Sequence, residues 1–325
     1  MSYRILGSIT AGAAAMIAGG SIAAAYNVFK GFLLRHGTYD DDPPGDKEYT
    51  TPELQDRYLE EIHWNEAQDF SDVSITSGDG LRLMGSYLPA SEEAVRNVIL
   101  VHGYHSTGYK DFAGILKYYH KDSNVLMIEQ RAHRRSAGKY ITMGIRESED
   151  LALWCAFMNE KAGSDLPMYL HGVSMGGATV AMAEGEELPD NVKGIICDCG
   201  FTNPYDIAVH VSKTYMNGTT IPLMPMVNRY AKWLAGIDLR EKNAPDILRS
   251  AKIPILFVHG TWDKFVPPHM SVRNYEACSA PRRICLVDEA THAMSFLKDT
   301  EKYVAAMEDM FAGWDTDRKE AATEQ

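Results

Sequence analysis

Eight short apolar runs, most of them separated by helix-sized stretches, organise the chain between residues 72 and 288. They are DVSIT (72–76), LRLMGSYL (81–88), NVILVHG (97–103), NVLMIE (124–129), MYLHGV (168–173), GIICDCG (194–200), PILFVHG (254–260) and RICLVD (283–288). From the third onward the runs are continuously apolar rather than alternating, as strands buried on both faces must be. Helix-length intervals between them predict parallel pairing through crossover helices. The first two flank SGDG, with Asp79-Gly80 in the tight turn, and predict an antiparallel hairpin at the sheet edge. The expected fold class is α/β: a mostly parallel, eight-stranded sheet with helices on both faces.

One interval breaks the rhythm. About 50 residues separate GIICDCG from PILFVHG, more than a single crossover helix needs. Its middle, TTIPLMPMVNRYAKWLAG (219–236), holds Leu223, Met224, Met226, Tyr230, Trp233 and Leu234. The expectation is a small helical cap over the carboxyl edge of the sheet, inserted over 205–247. Residues 37–55 are acidic and broken by prolines, so 37–69 reads as a linker. Residues 313–325 read as a polar, frayed tail.

The amino-terminal run from Ile5 to Phe29 carries no charged residue and is long enough to cross a bilayer. It is expected to anchor the protein as a single membrane-spanning helix, giving membrane association through residues 5–29 within an apolar segment 1–36. Arg4 before the run, against Lys30 and Arg35 after it, biases the remaining domain toward the cytoplasm. Two alternatives stay open. One is export after signal cleavage following Ala23-Ala24-Ala25; the other is a helix packed on the domain.

A formal net charge of −12 with no basic cluster excludes nucleic acid as a partner. The five cysteines are too few and scattered for a disulfide framework, so buried free thiols are expected. Strand alternation would put Cys197 and Cys199 on one face.

Candidate chemistry centres on HGVSMGG (171–177). Gly172-Val173-Ser174-Met175-Gly176 is G-x-S-x-G between a predicted strand and a predicted helix, the context that gives this motif meaning. A serine in a sharp turn leaves no room for Cβ atoms two residues either side. Its hydroxyl is a weak nucleophile without a histidine base, itself oriented by a carboxylate. Asp263 in HGTWDKFVP and His292 in VDEATHAMS both follow strand ends, so all three residues fall at the carboxyl edge of one sheet. Asp198 and Asp288 also lie near strand tips and stay as alternative acids. His102 and His105 are spaced i, i+3, but no third ligand accompanies them; no metal site and no cofactor are expected.

Several stretches together resemble the α/β-hydrolase superfamily, in its bacterial serine-aminopeptidase-like and monoacylglycerol-lipase-like subset. They are LVHGYHSTG (100–108), EQRAHRRSAGKYITMG (129–144), HGVSMGG, CDCGFTN (197–203), HGTWDKFVP and THAMSF (291–296). The resemblance covers roughly residues 70–312 and implies an α/β-hydrolase domain there. It also implies that the backbone N–H groups of Tyr104 and Met175 form an oxyanion hole. Relatives carry D-x-R-G-x-G-x-S-x-G after the fourth strand; here Glu129, Ala132 and Arg134 replace the aspartate and two glycines.

The expected function is a serine hydrolase cleaving acyl bonds, with Ser174 as nucleophile, His292 as base and Asp263 as acid. The Met- and aromatic-rich cap points to a small-molecule apolar or mixed carboxylic ester. Thioesterase, acyltransferase and peptidase share the triad and stay open. A non-catalytic binding protein on the same fold is the rival of another class.

Overall fold

The computed structural model describes residues 20–35 and 51–323, with side chains through residue 312. Eight strands form one sheet: β1 (Ser71–Thr76), β2 (Arg82–Leu88), β3 (Arg96–Val101), β4 (Ser123–Ile128), β5 (Met168–Val173), β6 (Val192–Asp198), β7 (Ile255–Gly260) and β8 (Arg282–Val287). Their order is β1-β2-β4-β3-β5-β6-β7-β8. β2 pairs antiparallel with β1 and β4, and every other pairing is parallel. The β1–β2 turn closes at Gly80, whose φ is +85°, and Ser77 Oγ donates to Asp79 beside it.

Continuous apolar runs buy two cores. In β3, Ile99 and Val101 join one cluster with Leu126, Trp154 and Met175, while Val98 and Leu100 join the other with Met127, Phe112 and Tyr303. Alternate residues thus serve opposite faces of one sheet. Cys197 and Cys199 part company, contrary to the alternation expected of them. β6 ends at Asp198, Cys199 takes φ +43°, and the two thiols enter different clusters.

The expected single-pass anchor is corrected here. Among the described residues no helix is long and apolar enough to cross a membrane. Residues 5–19 of the apolar run lie outside the described residues, and the rest, 20–29, belongs to a helix over 20–33 that packs on the domain. Ala25, Phe29 and Leu33, each one helical turn apart, are buried. The Phe29 ring lies 5.7 Å from that of Tyr140, and Tyr26 lies 5.4 Å from Tyr230. Ile141 N donates to Leu33 O at 2.7 Å, Arg35 N to Lys139 O at 3.0 Å, and the Arg35 guanidinium to Ser136 O at 2.8 Å and to Arg134 O. The apolar stripe therefore faces protein. Neither membrane association through residues 5–29, nor the cytoplasmic or exported placement argued from it, has support.

Two terminal readings also change. Pro52–Glu66 is a helix where a linker was expected, capped by Thr51 Oγ1 and burying Tyr58 and Ile62. The last helix, Thr300–Thr323, continues through the stretch read as a frayed tail. Between β6 and β7 run the helix Pro204–Tyr215, a 3-10 turn Ile221–Leu223, the helix Met224–Tyr230, a π-helical turn Ala231–Ala235 and the helix Ala244–Leu248.

Candidate active site

Ser174 links β5 to the helix Met175–Ala183 with φ 58° and ψ −116°, a conformation costly for a residue with a side chain. The glycines around it are required by space. A Cβ on Gly172 would stand 2.0 Å from Gly176 O, and one on Gly176 would stand 1.9 Å from Val101 O. Ser174 N donates to Asp198 O at 2.9 Å, which ties the turn to the tip of β6.

His292 comes to Ser174 from the loop after β8. Its Nε2 lies 2.9 Å from Ser174 Oγ and its Nδ1 lies 2.6 Å from Asp263 Oδ2. A carboxylate can only accept, so Nδ1 carries the proton and Nε2 presents a lone pair to the serine hydroxyl. Asp263 sits just beyond β7, buried, and its Oδ1 accepts from Phe265 N and Val266 N, both at 2.9 Å. His259 Nε2 approaches Oδ2 at 3.2 Å. Burial opposes the charge on Asp263, but His292, His259 and these hydrogen bonds outweigh it and hold the carboxyl well below the usual carboxylate range. At His292 burial again opposes the charged form, and the Asp263 carboxylate prevails, raising its pKa above the ordinary histidine value.

The alternative acids lie elsewhere. Asp288 is exposed and accepts from Thr261 Oγ1 at 3.0 Å. Asp198 is buried with Oδ2 accepting from Tyr303 OH at 2.8 Å, and burial pushes its pKa up to about 6. His102 has both ring nitrogens engaged, Nδ1 with Gly103 O at 2.7 Å and Nε2 with Gln130 N at 3.1 Å. Among the described residues, one group could gather around a cation: Cys199, Asp263 and His292, with ligand atoms within 4.8 Å of one another. Burial and the nearby Asp198 and Asp263 carboxylates push the Cys199 thiol well above its ordinary pKa.

Met175 opens its helix, so its N–H has no partner within that helix. Gly103 runs beside the serine, since a Cβ there would stand 3.1 Å from Ser174 Cβ. Tyr104 follows and lines the cavity that opens on Ser174. Sequence reasoning missed the residue that fixes this loop. Asp111 Oδ2 accepts from Gly103 N at 2.5 Å and Oδ1 from Ser106 Oγ at 2.6 Å. Its only sequence signal is a position just past Thr107, which caps the short helix Gly108–Asp111.

The cavity measures about 520 Å³. Ile207, Val211, Met216 and Met224 of the β6–β7 excursion line it, as do Phe201 and Phe265. Met226, paired with Met224 in the sequence reading, is half-buried and is absent from the described lining. Val28, Gly31 and Phe32 of the helix 20–33 also line it, a contribution the sequence did not disclose.

A family model described as serine aminopeptidase, S33, matches residues 92–234. The uncharacterized protein YqkD of Bacillus subtilis is 26% identical over 233 residues, covering 70% of this chain and 75% of that protein. Among solved structures, the esterase Pf2001 of Pyrococcus furiosus superposes with a TM-score of 0.60 at 20% identity, covering 83% of this chain and 98% of its own. The alpha/beta hydrolase GrgF from Penicillium gives 0.59 at 16% identity, covering 75% and 98% respectively.

Proposed function

We propose that this chain, which shares the α/β-hydrolase fold and matches a hydrolase family model over residues 92–234, is a serine hydrolase cleaving carboxylic esters with an apolar acyl part. The observation that carries this reading is the unbroken hydrogen-bond chain from Ser174 Oγ through His292 to Asp263 Oδ2, at 2.9 and 2.6 Å. In the proposed reaction His292 Nε2 takes the serine proton as Oγ attacks the ester carbonyl. Asp263 holds the imidazole in the Nδ1–H tautomer and stabilises the imidazolium. The N–H groups of Met175 and Tyr104 receive the negative charge on the carbonyl oxygen. The imidazolium then protonates the departing alcohol, leaving an acyl-serine. Water, deprotonated by the same histidine, releases the acid and restores the serine.

The lining of the cavity favours an ester over a peptide with a free amino terminus. Its described residues include no aspartate or glutamate to receive an ammonium group. The name serine aminopeptidase belongs to the family model, and the name esterase to a structural neighbour; the apolar lining supports the second kind of substrate here.

Labelling by a fluorophosphonate probe tests the nucleophile. Wild-type protein should label and Ser174→Ala should not, with ester turnover falling roughly three to six orders of magnitude in the variant. Wild-type protein that resists the probe and turns over p-nitroanilides but not p-nitrophenyl esters would refute the reading. The acid limb of kcat/KM gives an independent check. His292 must be neutral to act, and its pKa lies above the ordinary value of 6.5. Activity should therefore rise with pH through a midpoint above 6.5, and Asp263→Asn should move that midpoint down as well as lower the plateau.

A further inference from the structure

One wall of the cavity is contributed from outside the sheet and its crossovers. In the helix 20–33, Ala25, Phe29 and Leu33 form the stripe that packs on the domain. Asn27, Val28, Gly31 and Phe32 form the neighbouring stripe, at spacings of one, three and four residues, and all four line the cavity with Ser174. The end of this helix is held in register from the active-site side. Tyr104 OH donates to Gly31 O at 3.1 Å and to Phe32 O at 3.0 Å, occupying carbonyls that the last helical turn leaves without intrahelical partners. The same Tyr104 supplies one of the proposed oxyanion donors. Wall and reaction centre are thus fixed relative to each other through one side chain.

Gly31 marks where this wall is thin. It is exposed at the edge of the cavity it lines, and a Cβ built there meets no atom within 4 Å, so a larger side chain has open space to occupy at that edge. Phe32 does the reverse, since its ring already fills space against Tyr104, with centroids 6.4 Å apart.

We propose that the helix 20–33 is the specificity-determining wall of the cavity, and that an unbranched apolar acyl chain lies along Val28, Gly31 and Phe32 with its carbonyl at Ser174. This rests on the serine-esterase reading for the identity of the reacting group, but the wall itself rests on the cavity. Each methylene taken from water into such a site is worth up to about fourfold in kcat/KM. A shortened cavity should therefore lose long acyl groups steeply while short ones lose little by comparison.

The test is a p-nitrophenyl ester series from acetyl to dodecanoyl on wild type, Gly31→Leu, Phe32→Ala and the control Ala23→Leu, an exposed position on the same helix outside the described lining. The octanoyl-to-acetyl ratio of kcat/KM should fall at least tenfold in Gly31→Leu. The preferred chain length should move longer in Phe32→Ala, and the ratio should change less than twofold in Ala23→Leu. Decanoic acid binding by calorimetry to each protein gives a readout that needs no turnover, and Gly31→Leu should weaken it at least tenfold. Circular dichroism melts verify that each variant is folded. Active variants with the wild-type chain-length profile, or Gly31→Leu binding decanoic acid as wild type does, would overturn the wall. Decanoic acid bound and weakened by Gly31→Leu, with no ester hydrolysed by any protein, would support the wall and refute the esterase reading instead.

Discussion

Among the turns that hold residues with side chains at positive φ, two treat glycine in different ways. At the first, Ser174 has φ 58° and is hemmed by Gly172, Gly176 and Gly177. At the second, Ala132 at φ 59° and Arg134 at φ 42° occupy positions where the family pattern that the sequence resembles has glycine. The difference lies in what surrounds the backbone. Around Ser174, strands and helix approach so closely that added Cβ atoms would meet backbone oxygens at about van der Waals overlap, 1.9 and 2.0 Å. The turn after β4 asks Ala132 and Arg134 for an unusual φ, which costs an L-residue roughly 1–2 kcal/mol, and it keeps a glycine at its close approach, Gly138, where a Cβ would stand 2.9 Å from Ala132 N.

The second turn is held by side chains that offset this cost. Arg131 donates through Nε to Asp150 at 2.7 Å and reaches Asp79 at 3.0 Å, crossing from the turn to a helix and to the β1–β2 hairpin. Ser136 Oγ donates to Glu129 O at 2.5 Å and accepts from Met84 N at 2.8 Å. Glu129 in turn accepts from Arg135 N and Nε, both at 2.8 Å. Glutamate in place of aspartate thus gains the reach to close the turn on its own arginine. Steric exclusion cannot be compensated this way, whereas dihedral strain can.

Substitution at the two turns should separate the effects. Gly176→Ala is expected to destabilise by about 4 kcal/mol or more and to abolish ester turnover, because backbone must move to admit one carbon. Denaturant melts and fluorophosphonate labelling would check this, and a folded, labelled Gly176→Ala would break the contrast. Ala132→Gly should do far less. Relief of the left-handed penalty is set against the extra freedom of unfolded glycine and the loss of a fully buried methyl, so stability should change by less than about 1 kcal/mol with kcat/KM essentially preserved. Chemical denaturation of the variant beside wild type measures the shift directly.

The strands were legible because burial on both faces forces unbroken apolar runs, and each β-branched run matches a strand within two residues at either end. Ser174, Asp263 and His292 were legible because each follows a strand end, where chain order and topology suffice to bring them to one edge. Residues 20–33 were not. An apolar helix reads alike whether its partner is lipid or protein, and the stripe Ala25, Phe29, Leu33 is hidden among neighbours almost as apolar. Pro52–Glu66 was overlooked for a different reason. Thr51 as cap and Pro52 at the first helical position are start signals, but prolines and acids upstream suggested a linker. The Tyr104 hydroxyl acts through a contact more than 70 residues away, and Asp111 through two bonds within its own loop that have no recognised motif.

The grip of the helix 20–33 on its neighbours also has a consequence in time. Translation produces this helix before Tyr104, Ile141 or Tyr230 exists, and its contact from Tyr230 OH to Ile22 O spans 208 positions of chain. At ribosomal speeds of about 5–20 residues per second, that interval is roughly 10–40 s. For the first half of it Phe29 and Leu33 lack Tyr140 and Ile141, and until its end Phe29 lacks Tyr230. The earliest-made residues of the cavity lining are therefore set in place only after the β6–β7 excursion has emerged.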